Sequence, residues 1–446
     1  MLNTQRLTVG LLLLLTTVLQ MAAQQPLSLK QSLEYGLSNH PSIAVGEYGI
    51  KSSQNRVREG YSGYLPQINA NFGLDDNLKL QTNIIPAGTF GNPDPLEVRF
   101  GTKFIAVGTV QLDQKLYDQS MIMGFTAYKP SVNLSRMQLS KTKEDIAYNI
   151  ASAYINVLVV QEQINLLKTN LESYNKILQV TQLQYDKGVA KKTDFDRIRV
   201  TVNNLTSQLS LAESNLKVAQ NSLKMNMGMD QKTDIALTDT VEFKQLRAEQ
   251  PGADFKKENR IDYQILNGSA NLQEIQLKML RAQYVPTISG YARYGVQALN
   301  NNFRDLWGSW FDYSTIGLKV SIPIFDGLNK DARIKQQKMT WLTEKKNVEL
   351  YAMQFELQYE NAAVQVKRSR VSVLNDNENL LLAKEVFEQT SMQYQGGVAT
   401  LSDLINAENG YKEAQTNYIN SLFNLRISEL DLQKANGTIL TYLNIQ

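Results

Sequence analysis

The residues best suited to chemistry in this sequence sit at two short turns of matching pattern. The first reads Tyr185-Asp186-Lys187-Gly188-Val189-Ala190, then Lys191-Lys192-Thr193-Asp194-Phe195. The second reads Tyr394-Gln395-Gly396-Gly397-Val398-Ala399, then Thr400-Leu401-Ser402-Asp403-Leu404. The chemistry on offer is electrostatic. If copies of Asp403 were arranged around a symmetry axis, they would repel, attract cations and raise one another's pKa. Asp194 and Asp403 equally suit the positive N-terminal ends of helices, beside Thr193 and Ser402 as caps. Catalysis finds little to work with. The chain has no cysteine and one histidine, His40, and it shows no phosphate loop, nucleophile elbow or metal-ligand cluster. Paired acids such as Glu144 and Asp145 read as solvated groups on polar helix faces. The expectation is a protein that is not an enzyme and needs no cofactor or metal.

The turns demand long elements on either side. Gly188 and Gly397 can adopt the left-handed conformation that ends a helix, and Thr, Ser or Asp can start the next. Before the first turn an apolar stripe runs from about Ser131 through Ile146, Ile150, Tyr154, Val157, Ile164, Leu167, Leu171 and Tyr174. After it, Phe195, Ile198, Val202, Leu205, Leu209, Ala212, Leu216, Ala219 and Leu223 step by alternating threes and fours, a coiled-coil seam. A helix from about Leu328 to Tyr394 leads into the second turn. Leu404, Ala407, Tyr411, Ala414, Tyr418, Ser421, Leu425, Ser428, Leu432 and Ala435 follow it with the same spacing. Helices of about 57 to 67 residues reach roughly 85 to 100 Å. Each turn is therefore the tip of a long antiparallel hairpin.

Each hairpin is preceded by a pair of strands and a helix. Leu27 to about Tyr61 reads as helix with a dent at Asn39-His40-Pro41, and Pro66 starts a period of two in which Ile68, Ala70, Phe72 and Leu74 alternate with polar residues. A Gly/Pro/Asn-rich loop from about Asn77 to Leu96 leads to a second run, Phe104 to Leu112. The scheme then repeats with a helix from Asn259 to Gln283, a run from Ile288 to Val296, a loop holding Trp307 and Trp310, and a run from Ile316 to Ile324. The division is a first repeat over 24–257, closing in an irregular middle segment, and a second over 258–446. A repeat of roughly 210 residues marks an internal duplication rather than a solenoid.

Composition agrees with long polar-faced helices, since only 10 of 446 residues are Pro. A net charge of +3 with dispersed lysines speaks against nucleic acid as partner. Residues 1–23 have the form of a secretory signal, with Arg6, an apolar core from Leu7 to Leu19, and Met21-Ala22-Ala23 for cleavage. No later stretch is apolar enough for a membrane helix, so entry into a membrane requires a β-barrel. One face of each strand is apolar and the other polar, the pattern of a soluble sandwich and equally of a membrane barrel wall. Arg293 and Lys319 then belong to the lumen, because either would be costly on lipid. Four strands cannot close alone; two chains would supply about eight, a barrel filled by its own side chains, and three would supply about twelve and leave a channel.

In its order of helix, Pro-initiated strand, strand, long helix, Gly-Val tip and helix, stated twice, the chain resembles the TolC-type outer-membrane efflux protein family. The resemblance implies a mainly α fold with membrane β: a homotrimeric twelve-stranded barrel, four strands per chain, continued by an α-helical tunnel across the periplasm. It implies an outer-membrane exit duct in contact with lipid, serving tripartite efflux or type I secretion. The tip turns, Gly188, Val189, Gly397 and Val398, would dock a periplasmic adaptor protein working with an inner-membrane pump or transporter. Residue by residue, the family's ring aspartate matches Asp403 and its second ring acid falls on Asn406. A linking tyrosine matches Tyr394, the acid that can bond to it matches Asp194, and the family's basic link falls on Ala399. A weaker, differently wired closure is the expectation. The competing reading is a periplasmic coiled-coil adaptor or scaffold without a channel, which leaves the strands without a purpose.

Overall fold

The computed structural model describes residues 25–239 and 255–445, apart from residue 92. The signal segment at 1–23 lies outside the described residues, as does most of the middle segment. The chain forms two compact units. One takes in the described residues within Met1–Tyr48, Arg136–Leu266 and Val348–Gln446, the other those within Gly49–Ser135 and Asn267–Asn347. Each unit draws on both halves of the sequence, so the spatial division crosses the linear one.

The second unit holds a four-stranded antiparallel sheet made of β2 (Gln67–Asp76), β5 (Phe104–Tyr117), β7 (Thr287–Asn300) and β8 (Phe311–Ser321), in that order. The other described strands are β1 (Gln25–Leu27), the hairpin strands β3 (Thr82–Ile85) and β4 (Leu96–Arg99), and β6 (Ile235–Leu237). The two sequence halves meet where β5 pairs with β7. Register carries the alternation across the sheet. Ile68, Leu112, Ala292 and Ile316 form one row, and Asn69, Gln111, Arg293 and Thr315 form the next, on the opposite face. The strand expected to reach Ile324 stops at Ser321, just before Pro323, which has no N–H for a ladder. The loop expected between Asn77 and Leu96 contains strand β3 and runs up to strand β4, which pairs with it, Thr82 opposite Arg99. Runs of four residues are too short for a period to be read. Leu306, in a 3-10 turn over Asp305–Gly308, covers Ala106 and Ala298. It leaves Trp307 and Trp310 exposed, with their rings 6.1 Å apart.

Helices α1 (Leu29–Asn39) and α2 (Pro41–Ser62) are separate elements. The expected dent is a full break, because His40 is extended at φ −67° and ψ 127° and Pro41 starts a new helix. Helix α3 (Gln119–Asp186) begins twelve residues before the expected start and runs through Pro130. A proline inside a helix costs about 3 kcal/mol. Here the turns before it are held by aromatic packing on α2, with Tyr61 4.7 Å from Phe125 and 4.8 Å from Tyr128 between ring centres. The remaining helices are α4 (Lys192–Met227), α5 (Ile261–Ala282), α6 (Asn329–Gln395), α7 (Leu401–Asn436) and α8 (Ile439–Tyr442). No described helix is long and apolar enough to cross a membrane.

The first unit is built on the predicted stripes. Ile146, Ile150, Tyr154 and Val157 of α3 pack with Ala219 and Leu223 of α4 and Leu430 of α7. β1 pairs in parallel with β6. Tyr154 fastens this end: its hydroxyl donates to Asp239 Oδ2 at 2.8 Å, and Asp239 also accepts from the Leu29 N–H at 2.9 Å. Burial and the Asp239 charge push the Tyr154 pKa far up, so the hydroxyl keeps its proton. Glu144 and Asp145 are not simply solvated. Asp145 pairs with Lys434 at 2.9 Å, and Lys141 bonds to Asp262. Glu144 is half-buried among them, and burial followed by the Asp262 and Asp145 charges raises its pKa to about 7. Sequence spacing placed these acids on a polar face but could not show that α5 and α7 bring charges against it.

Candidate functional site: the hairpin tips

At the first tip α3 ends at Asp186 and Gly188 takes φ +74°. The Val189 N–H then returns to the Gln184 carbonyl at 2.9 Å. At the second tip α6 ends at Gln395, Gly397 takes φ +76°, and the Val398 N–H returns to the Gln393 carbonyl at 2.8 Å. These are matching helix stops that need a left-handed residue. Val189 and Val398 are 78% and 82% exposed, so each tip presents an apolar side chain to solvent.

The two restarts differ. Helix α7 opens with a capping box. The Asp403 N–H donates to Thr400 Oγ1 at 3.3 Å, while the Thr400 N–H and Oγ1 donate to Asp403 Oδ2 at 3.0 and 2.6 Å. The cap is therefore Thr400; Ser402, the expected cap, lies within the helix. Lys191, the residue before helix α4, caps it without any side-chain bond, and Thr193 is likewise inside. Its first turn is held by Phe195 stacked on Tyr185, 5.8 Å between ring centres. Bonds from the Thr400 hydroxyl and backbone keep the Asp403 carboxyl below its ordinary range. Thr400→Ala removes both side-chain bonds, and the first-turn amides of α7 are expected to exchange with solvent about fivefold faster, as read by hydrogen exchange.

Behind the tips, Tyr174, Ile198, Leu205, Leu401 and Leu404 form a buried cluster, with Tyr394 packed at its edge. Asp403 and Asn406 are exposed and one turn apart on α7, and Asp194 lies in the first turn of α4. Within one chain no hydrogen bond or ion pair joins Asp194, Tyr394 and Asp403. On the sheet, Arg293 and Lys319 share the polar face. Arg293 Nε donates to Gln111 at 2.9 Å, and Gln111 in turn donates to Asp113.

The model of the outer membrane efflux protein family matches residues 33–229 and 268–438, reaching from α1 to the end of α7 in two blocks that each contain a strand pair and a hairpin. The chain belongs to that family. It is similar to the outer membrane protein TolC of Vibrio cholerae, at 21% identity over 86% of this chain and 84% of that one. It is also similar to the outer membrane efflux protein BepC of Brucella suis, at 20% identity over 97% and 90%. Its fold matches the crystal structure of VceC from Vibrio cholerae with a TM-score of 0.71, at 16% identity over 92% and 96% of the two chains. As a family member it is a passive outer-membrane exit duct for efflux or secretion, reaching into the periplasm, and not an enzyme. Family membership displaces the channel-free adaptor reading.

Sequence reasoning passed over three positions that the structure makes prominent: Gly437, Arg260 and Glu408. Gly437 carried the one legible signal. It lies 209 positions after Gly228, as Gly397 lies 209 after Gly188.

Proposed function

We propose that three copies of this chain close into a twelve-stranded barrel whose helical hairpins continue as a tunnel, receiving cargo from a periplasmic adaptor and an inner-membrane pump or transporter. The observation that carries this reading is the sheet itself. β2 and β8 each leave one edge unpaired, and a long unpaired edge is a template for another strand. The apolar face beside those edges is bare, with Ile316 87% and Leu318 72% exposed. Lipid around a closed barrel satisfies that face, and neighbouring copies satisfy the edges. The opposite face, with Arg293, Gln111, Asp113 and Lys319, then lines the lumen. Trp307 and Trp310, at the margin of the apolar face, suit the aromatic girdle.

Asp403 guards the periplasmic end in this reading. Three copies around the axis gather negative charge, and Tyr394 and Asp194 lie where neighbouring chains can link. The exposed Val189 and Val398, raised on Gly188 and Gly397, form the adaptor contact. Planar-bilayer recording tests the gate. The wild-type protein is expected to pass a small cation-selective current that multivalent cations block, and Asp403→Ala is expected to weaken that block about tenfold. Unchanged block and conductance would remove Asp403 from the gate, and a monomer in the soluble periplasm would remove the barrel.

A further inference from the structure

Helix α7 carries a carboxylate whose surroundings do not suit its charge. Glu408 is 5% exposed, and its Oε2 is buried with no hydrogen-bond partner. Contacts further along α7 set the level at which it sits. Asn170 of α3 donates to Gln415 at 3.5 Å, and Lys412 donates to Gln208 of α4 at 3.1 Å. By that register, seven residues nearer the tip than Gln415, Glu408 comes level with Ile177 on α3 and with Leu205 on α4, and Thr181 of α3 lies one turn nearer the tip. Next to it, Leu404 and Leu401 join Tyr174, Ile198 and Leu205 in the buried cluster. The fully buried Thr181 hydroxyl is already committed to the Ile177 carbonyl at 2.9 Å.

Charge compensation is thin on every side. From α3 the titratable group at this level is Tyr174, while Lys176 and Glu172 pair with each other in solvent at 2.9 Å. From α4 come Leu205 and Gln208, with Arg197 and Arg199 exposed. From α6 come Tyr394 and Phe387, the latter stacked on Tyr411 of α7 at 5.6 Å, with Lys384, Glu385 and Glu388 exposed. On α7 itself Asp403 and Glu413 face solvent. Lys412 is the charge that acts on Glu408, and its ammonium is engaged by Gln208. A neutral carboxylic acid tolerates such a place; an ionised one with a bare oxygen does not.

We propose that Glu408 is a proton-operated latch: protonated, it lets α7 seat against α3 and α4 behind the tip, and ionised, it drives α7 off them. Burial pushes its pKa up to about 8, with Lys412 pulling the other way. A carboxyl raised in the seated state and ordinary in the lifted state favours seating fully below the ordinary carboxylate range. That contribution is lost as pH rises toward about 8. The linkage predicts that seating weakens roughly 50-fold between about pH 6 and about pH 8. One consequence rests on the duct proposed above: its periplasmic end would be tightest on the acid side.

Hydrogen exchange on the full-length protein in detergent, corrected for the intrinsic pH dependence of exchange, tests the latch. Protection over residues 401–412 is expected to fall by roughly 50-fold from about pH 6 to about pH 8 in the wild type and to stay level in Glu408→Gln. Lys412→Met removes the compensating cation and should move the loss to higher pH. An equal pH slope in Glu408→Gln, or none in the wild type, overturns the proposal. If Glu408→Gln fails to fold, the Lys412→Met comparison decides, and an unmoved midpoint overturns it. Absence of current in bilayers would remove the duct consequence while leaving the exchange result to stand or fall by itself.

Discussion

Gly437→Ala is expected to destabilise the helical unit by about 3 kcal/mol or more, lowering the thermal midpoint of the helical circular dichroism signal in detergent. Gly437 ends α7 at φ +72°, with its N–H on the Gln433 and Lys434 carbonyls. A left-handed alanine alone costs about 1–2 kcal/mol. A methyl group here would also lie 2.8 Å from the Asn259 carbonyl oxygen and 3.0 Å from Arg260 Cα. Both are backbone, so the chain itself must move. Gly228 repeats the arrangement in the first half, at φ +69° and against His40 Cα and Pro41 Cδ at 2.9 and 3.0 Å. Gly397→Ala is the control. It has the same left-handed backbone at φ +76° but nothing within 4 Å of the added carbon, so the backbone cost alone applies. Equal shifts for Gly397→Ala and Gly437→Ala would show that the close approach at Gly437 contributes nothing.

Arg260→Ala is expected to cost about 3 kcal/mol in the same melting experiment. Arg260 is nearly fully buried. It donates to Gln358 at 2.8 Å and pairs with Asp262 at 3.4 Å, with its guanidinium 4.0 Å from the centre of the Phe355 ring. Truncation strips Gln358 of its donor and the ring of its cation. Arg260→Lys keeps the charge but not the planar fork, and should fall between wild type and Ala. The pH response gives a second readout. Burial alone would raise the Asp262 pKa, but the bond and charge of Lys141 and the charge of Arg260 outweigh it, and the net shift is downward. Such a carboxylate stabilises the fold above the ordinary aspartate range and loses that contribution as pH falls through its own lowered pKa. Without Arg260 the acid limb of the stability curve should begin at higher pH. An unchanged acid limb would mean that Lys141 alone holds Asp262.

Much of this protein was legible because two simple periods run through it. The threes and fours from Ile198 to Leu223 and the alternation from Ile68 to Leu74 are consequences of helix and strand geometry, and residues on one face of either must be buried or exposed together. The tip glycines were readable for a similar reason: a left-handed helix stop admits few other residues. Those local constraints also repeat at a fixed offset, so the duplication and the family followed from sequence. Tertiary structure decided what local rules cannot carry. Pro130 stays inside a helix because Tyr61 packs on Phe125 and Tyr128, a contact between residues far apart in sequence. Thr400 rather than Ser402 became the cap because capping depends on where the first turn starts, to the residue. Glu144 and Glu408 looked like any glutamates on a helix, since a carboxyl's pKa depends on which helices pack over it and whether they bring a charge or a hydrogen bond. For Glu144 they bring both signs of charge; for Glu408 they bring leucine, and that difference is invisible to the spacing of residues along α3 or α7.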